Sequence, residues 1–297
     1  MQIRRTEAMH DAAAGLDARP PAEIAAILLD GQMAALDAVR GALPALAEAS
    51  GRIARCLSGA GRVHYAGAGS SGLMAGADAM ELAGTFGIDP ARALIHMAGG
   101  LPQDATMPGG TEDDAGAGAS AAGAVSAGDA AIVVAASGST PYALGFAEAA
   151  RARGAATICI ANVPGAPLFA HADVAVCLPT PPEVLAGSTR MGAGTAQKAA
   201  LNILSTLVGV ALGHVHDGMM VNLRADNAKL RARAAGIVAR IAGVGPEAAA
   251  SALDEAGGEV KPAVMIALGV ELPAALRVLE QTGGNLRAAL GRVKSPA

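Results

Sequence analysis

Tryptophan is absent from this chain, and only two tyrosines and three phenylalanines stand among its 297 residues. A core must therefore be packed from Ala, Val, Leu, Ile and Met, and stacking platforms for nucleic-acid bases are missing. Charge is sparse as well: 16% of residues are Asp, Glu, Lys or Arg, the net charge is −4, and no long basic run occurs, so nucleic acid is not expected as a partner. No stretch reaches the ~20 uninterrupted apolar residues of a membrane span. The N-terminal residues Met1 to Gly15 include basic side chains but no apolar core after them, and a cytoplasmic protein is expected. The cysteines Cys56, Cys159 and Cys177 are odd in number and far apart, which suits neither a disulfide framework nor a zinc site. What is abundant is small and apolar. With 52% hydrophobic residues and 39 glycines, the composition is that of a folded α/β protein with many tight turns.

Apolar residues recur at helical spacing over 20–58, as Ile24, Ile27 and Leu28 and then Leu36, Val39 and Leu43. From Arg62 the pattern changes. RVHYAGAG, RALIHMAGG, AAIVVAASGS, AATICIAN and VAVCLPT are short apolar runs that alternate with helix-length, alanine-rich segments. This predicts a doubly wound parallel sheet of about five strands, covered on both faces. A long helix is expected from Thr189 to Leu212, and after Gly243-Val244-Gly245-Pro246 three short helices over about 246–257, 259–268 and 271–290. The expected organisation is N-terminal helices over 1–60, a sheet domain over 61–243 and a small helical domain over 244–297.

Gly67-Ala68-Gly69-Ser70-Ser71-Gly72 fits the dinucleotide-binding pattern G-x-G-x-x-G. That use needs an acidic residue at the end of the second strand, yet the strand runs into Ala98-Gly99-Gly100, which argues against a nicotinamide cofactor. The turn instead carries hydroxyls. Ser137-Gly138-Ser139-Thr140 and Gly187-Ser188-Thr189 repeat that chemistry after later strands, each at the start of a helix, where free N–H groups and the helix dipole favour an anion. In a parallel sheet such loops converge at one edge, so Ser70, Ser71, Ser137, Ser139 and Thr140 are candidate phosphate-binding residues. Glu183 and Ser188 are candidates to complete a sugar pocket beside them.

The order GAGSSG, ASGSTPY, PEVLAGSTRMGAGTAQKAALNILST and NLRADNAKL resembles the sugar isomerase (SIS) domain and, within it, the N-acetylmuramic acid 6-phosphate etherase family. The likeness spans about Arg62 to Leu230, and the tail with AGGEVKPAVMIAL and GGNLRAAL resembles that family's small C-terminal helical domain. It implies a phosphorylated amino sugar as substrate, no metal or organic cofactor, and a homodimer with the pocket near the subunit boundary. The implied reaction is elimination of D-lactate from its ether followed by addition of water, giving N-acetylglucosamine 6-phosphate. Such a reaction needs one base and one acid. The family's acid matches Glu81, whose neighbours Ala77, Ala79, Met80 and Leu82 are uncharged, and its second carboxylate matches Glu112. The family's usual basic residues are replaced by Leu73, Ser139 and Gly192. An aldose–ketose isomerase and a non-catalytic phosphosugar-binding regulator are the two other readings, and lactate release separates all three.

Overall fold

A computed structural model describes residues 5–223, 225 and 227–294. Arg224 and Asp226 of the NLRADNAKL stretch lie outside them. The chain forms two compact units, one of residues 1–80 with 91–205 and the other of 81–90 with 206–297.

In the first unit two helices precede the sheet. α1 (Pro21–Asp37) starts on a proline, whose fixed φ suits a first turn, and α2 (Leu43–Ser58) buries Leu46, Ala49, Ile53 and Leu57 along one stripe. Five strands follow as expected: β1 (Val63–Gly67), β2 (Ala93–Met97), β3 (Ala130–Ala135), β4 (Ala156–Ala161) and β5 (Val174–Cys177). They pair in parallel in the order β2-β1-β3-β4-β5, with Gly67 opposite Val134 and Ala135 opposite Ala161. The central strands β1 and β3 are buried throughout, which explains their unbroken apolar runs.

Helices α3 (Gly69–Phe86), α4 (Ala115–Ala121), α5 (Pro141–Ala152) and α6 (Gly192–Ala211) connect or flank the strands. α4 and α5 cross with their backbones in contact, because a Cβ at Gly118 would collide with the Tyr142 carbonyl and one at Gly145 with that of Ala115. The close approach requires glycine at positions 118 and 145. Phe146, Ala147, Cys159 and Leu168 form a core beside it, and burial pushes the Cys159 thiol up to about 12, that of an inert structural cysteine. Buried Asp78 of α3 accepts hydrogen bonds from Tyr65 of β1 (3.1 Å) and from Asn202 and Ser205 of α6 (2.9 and 3.0 Å), tying α3 to the sheet and to α6.

In the second unit His214 to Met220 holds a small antiparallel pair, β6 (Val215–His216) and β7 (Met219–Met220). α7 (Ala228–Ala242), α8 (Pro246–Glu255), α9 (Val260–Ala267), α10 (Leu272–Gln281) and α11 (Leu286–Lys294) follow, and α7 shares one core with α8 and α9. The periodic stretch 271–290 is two helices rather than one. Gly283 and Gly284, at φ +60° and +73°, break it with a left-handed turn.

Candidate active site

The strand order reverses between β1 and β3, and ligands of such sheets bind outside the carboxyl ends of the strands at that point. A cavity of about 390 Å³ lies there. Its floor is two helix beginnings. After β1 the chain turns at Gly69 (φ +53°) straight into α3, with Ser70 and Ser71 in the first turn. A side chain at Gly67 would come within 2.9 Å of the Val134 carbonyl oxygen and 3.0 Å of the Gly72 Cα, so this glycine is required by close packing of strand on helix.

After β3, Ser137, Ser139 and Thr140 lead into α5. The Ser139 N–H and hydroxyl both donate to Ser137 Oγ, at 3.2 and 3.0 Å, which holds the turn. Thr140 occupies the N-cap position of α5 yet its side chain makes no capping hydrogen bond. Its hydroxyl and the uncapped first-turn N–H groups are donors of the kind that an anion can accept from.

Six of the nine candidate residues line the cavity: Ser70, Ser71, Ser137, Ser139, Thr140 and Glu112. Glu112 sits in a short turn, Gly109–Asp113, and its Oε2 is 3.8 Å from where a Cβ on Gly69 would stand, beside the first turn of α3. Ser188 does not line it, whereas its neighbours Gly187 and Thr189 do. Glu183 is buried, with both carboxylate oxygens bound to the N-terminus of α6. Glu81 is exposed on α3. Gln197 is buried and donates to Asn162 at 2.8 Å, while Lys198 is exposed.

Sequence reasoning missed Thr6 and Glu7. The N-terminal segment folds back so that the Gly187 N–H donates to the Thr6 carbonyl (3.2 Å) and both residues line the cavity. Thr6-Glu7 carries no local pattern that could have linked it to a loop 180 residues away. With Glu7, Glu112 and Asp113 the cavity has three carboxylates and, among the described residues, no Lys or Arg.

The departures from the family pattern also find their places. Leu73 is partly exposed on α3. Gly192 has no room for a side chain, since a Cβ there would be 2.9 Å from that of Ala35 and 3.0 Å from Glu183 Oε2. No group of three or more His, Cys, Asp or Glu among the described residues could hold a metal ion.

Residues 112–207 match the SIS domain family. An N-acetylmuramic acid 6-phosphate etherase of Deinococcus radiodurans is 46% identical over 97% of this chain and 95% of its own length. One of Streptomyces avermitilis is 43% identical over 98% and 94%. Among solved structures, a Bacteroides fragilis phosphosugar isomerase assigned to capsule formation aligns with a TM-score of 0.51 at 20% identity, over 67% of this chain and 99% of its own, a likeness of fold. On its near-full-length identity to these relatives, the chain belongs to the N-acetylmuramic acid 6-phosphate etherase family and carries a SIS domain.

Proposed function

We propose that this protein is a carbon–oxygen lyase that cleaves the D-lactyl ether of N-acetylmuramic acid 6-phosphate, giving N-acetylglucosamine 6-phosphate and D-lactate. Identity of 46% to an etherase over nearly the whole of both chains carries this reading. The cavity supports it: hydroxyls and helix N-termini offer a phosphate its donors, and a carboxylate stands beside them.

In the proposed reaction Glu112 removes the proton at C2, next to the C1 carbonyl of the open-chain sugar. The electron pair forms the C2–C3 double bond as the C3–O bond breaks, and the departing lactate oxygen takes a proton from Glu81. Water then adds at C3. The phosphate rests on Ser70, Ser71, Ser137, Ser139 and Thr140, and Glu7 and Thr6 close the cavity on the side of Gly187. The family resemblance implies a homodimer with the pocket near the subunit boundary, so in this reading a second copy supplies the Glu81 acid. An intracellular enzyme of amino-sugar metabolism fits this chemistry.

The test is incubation of the protein with N-acetylmuramic acid 6-phosphate in deuterated water, following D-lactate by a coupled dehydrogenase and the sugar by NMR. Lactate release with deuterium at C2 is expected. Exchange at C2 without lactate would replace the reading by an isomerase, and saturable binding with neither would replace it by a binding protein.

A further inference from the structure

A second cavity, of about 420 Å³, lies in the unit of residues 81–90 and 206–297. Lys261, at the second position of α9, lines it and is only 7% exposed. Lysine is almost never buried without a partner. Among the described residues the Lys261 ammonium has no hydrogen-bond or ion-pair partner, and its Nζ lies 3.6 Å from where a Cβ on Gly284, another wall residue, would stand. The adjoining helix end is also unsatisfied. Glu259 at the N-cap position makes no side-chain cap, Pro262 has no N–H, and the first helical bond runs from Ala263 to Glu259. The N–H groups of Val260 and Lys261 therefore share the cavity wall with the ammonium.

We propose that this cavity is a binding site for a small organic oxyanion, a carboxylate or a phosphate, held by the Lys261 ammonium and the start of α9. The cavity is too large for a bare ion, and Val221, Leu276 and Leu279 offer apolar wall for the rest of the molecule. Asn222 donates through Nδ2 to the Phe86 carbonyl (3.0 Å), which leaves its Oδ1 to accept from a ligand hydroxyl.

Burial draws Lys261 down to about 8, with Glu259 acting in the opposite direction, and burial followed by the charge of Lys261 draws nearby His214 down to about 4. Among the described residues that line the cavity, Lys261 is thus the one cation at neutral pH. Its carboxylates, Glu259 and Glu280, are exposed on the rim.

The chain has four lysines, Lys198, Lys229, Lys261 and Lys294, so protein labelled with ¹³C at lysine Cε gives a spectrum in which Lys261 is assignable by substitution. The full-length protein is titrated with pH in the absence and presence of D-lactate and, separately, of inorganic phosphate. With a bound anion the Lys261 midpoint is expected to rise by about 1, because an opposite charge at contact favours the ammonium. Which probe moves it tells carboxylate from phosphate. Lys261→Met is expected to weaken binding of that probe by about tenfold or more, with lactate release from the etherase cavity unchanged and Lys261→Arg restoring part of the affinity. Leu276→Trp, at an exposed wall residue, is expected to block binding while leaving the ligand-free Lys261 midpoint in place. A Lys261 midpoint unmoved by both probes at tens of millimolar, or equal affinity in Lys261→Met, would overturn the proposal. Because Lys261 is observed directly, neither result depends on whether the other cavity is active.

Discussion

Glu183 caps α6 through Gly192: its Oε2 accepts the Gly192 N–H and its Oε1 the Ala193 N–H, each at 2.8 Å. A carboxylate at a helix N-terminus satisfies orphan donors and the dipole together. Glu183→Gln keeps the shape but turns one acceptor into a donor facing an N–H, at a cost of about 1–3 kcal/mol. The expected result is a thermal midpoint lower by several degrees, read by calorimetry. An unchanged midpoint with a raised KM would return Glu183 to the sugar pocket.

The crossing of α4 on α5 fixes the turn that carries Glu112 against the turn that carries Thr140. Gly145→Ala puts a methyl group against the Ala115 carbonyl, and neither backbone can yield without shifting its turn. Overpacking of this kind costs about 1–3 kcal/mol. Activity per folded molecule should fall more than stability predicts, because a displacement of 1 Å at a reacting group costs roughly 10²-fold. Full activity at a temperature where the variant is folded would separate the crossing from the site.

At the amino edge of the sheet His64 Nε2 lies 3.1 Å from Asp129 Oδ2 and His64 Nδ1 2.9 Å from His96 Nε2. Burial holds His64 below the usual histidine range against the pull of Asp129, and burial and then the neighbouring His64 bring His96 to about 4. Both histidines have folded values below the unfolded 6.5, so the unfolded chain binds their protons first and stability falls as pH drops from about 6.5 to about 4. Asp129 is pushed up by burial but held lower overall by N–H donors from Arg62 and Ser126, and its contribution is lost at still lower pH. His96→Gln should flatten the midpoint-versus-pH curve between 6.5 and 4. A curve parallel to that of the parent would acquit the pair.

How much of this was readable from the chain depends on the range of the interactions. The five strands and α6 were legible because each is a local apolar pattern closed by Gly or a polar turn, and the hydroxyl loops because strand ends of a parallel sheet must meet. The break at Gly283-Gly284 was hidden by apolar residues that keep helical phase across it. Contacts such as Gly187 with Thr6, or the burial of Lys261, join segments with no shared pattern. The Glu183 cap was missed for another reason: a carboxylate beside a hydroxyl loop looks alike whether it faces a ligand or a helix end.

The absence of Lys and Arg from the described residues of the cavity wall gives a gain-of-function test. Ser139→Arg places a guanidinium beside the α5 N-terminus, at a position where the family resemblance implies a basic residue. A charge-assisted bidentate contact contributes about 1.5–3 kcal/mol, so KM for the phosphosugar should fall by roughly tenfold or more with kcat little changed. Loss of the Ser139–Ser137 hydrogen bonds opposes this, and Ser139→Ala measures that part alone. A KM for the arginine variant no lower than for the alanine variant would place the phosphate elsewhere.

The two proposed catalytic carboxylates differ in a way that mixing can read. Glu112 lines the cavity of its own chain, whereas Glu81 is exposed on α3 and is proposed to act from a second copy. Glu81→Gln should abolish lactate release yet keep deuterium exchange at C2, since only the proton donor is lost, and Glu112→Gln should lose both. If the acid comes from a second copy, a mixed dimer of the two inactive variants has one site with both carboxylates and one with neither. After subunit exchange in equal amounts half of the dimers are mixed, so about a quarter of parental activity should return. No recovery, with exchange verified by mass, would place both groups in one chain's site and require Glu81 to reach its substrate without a partner.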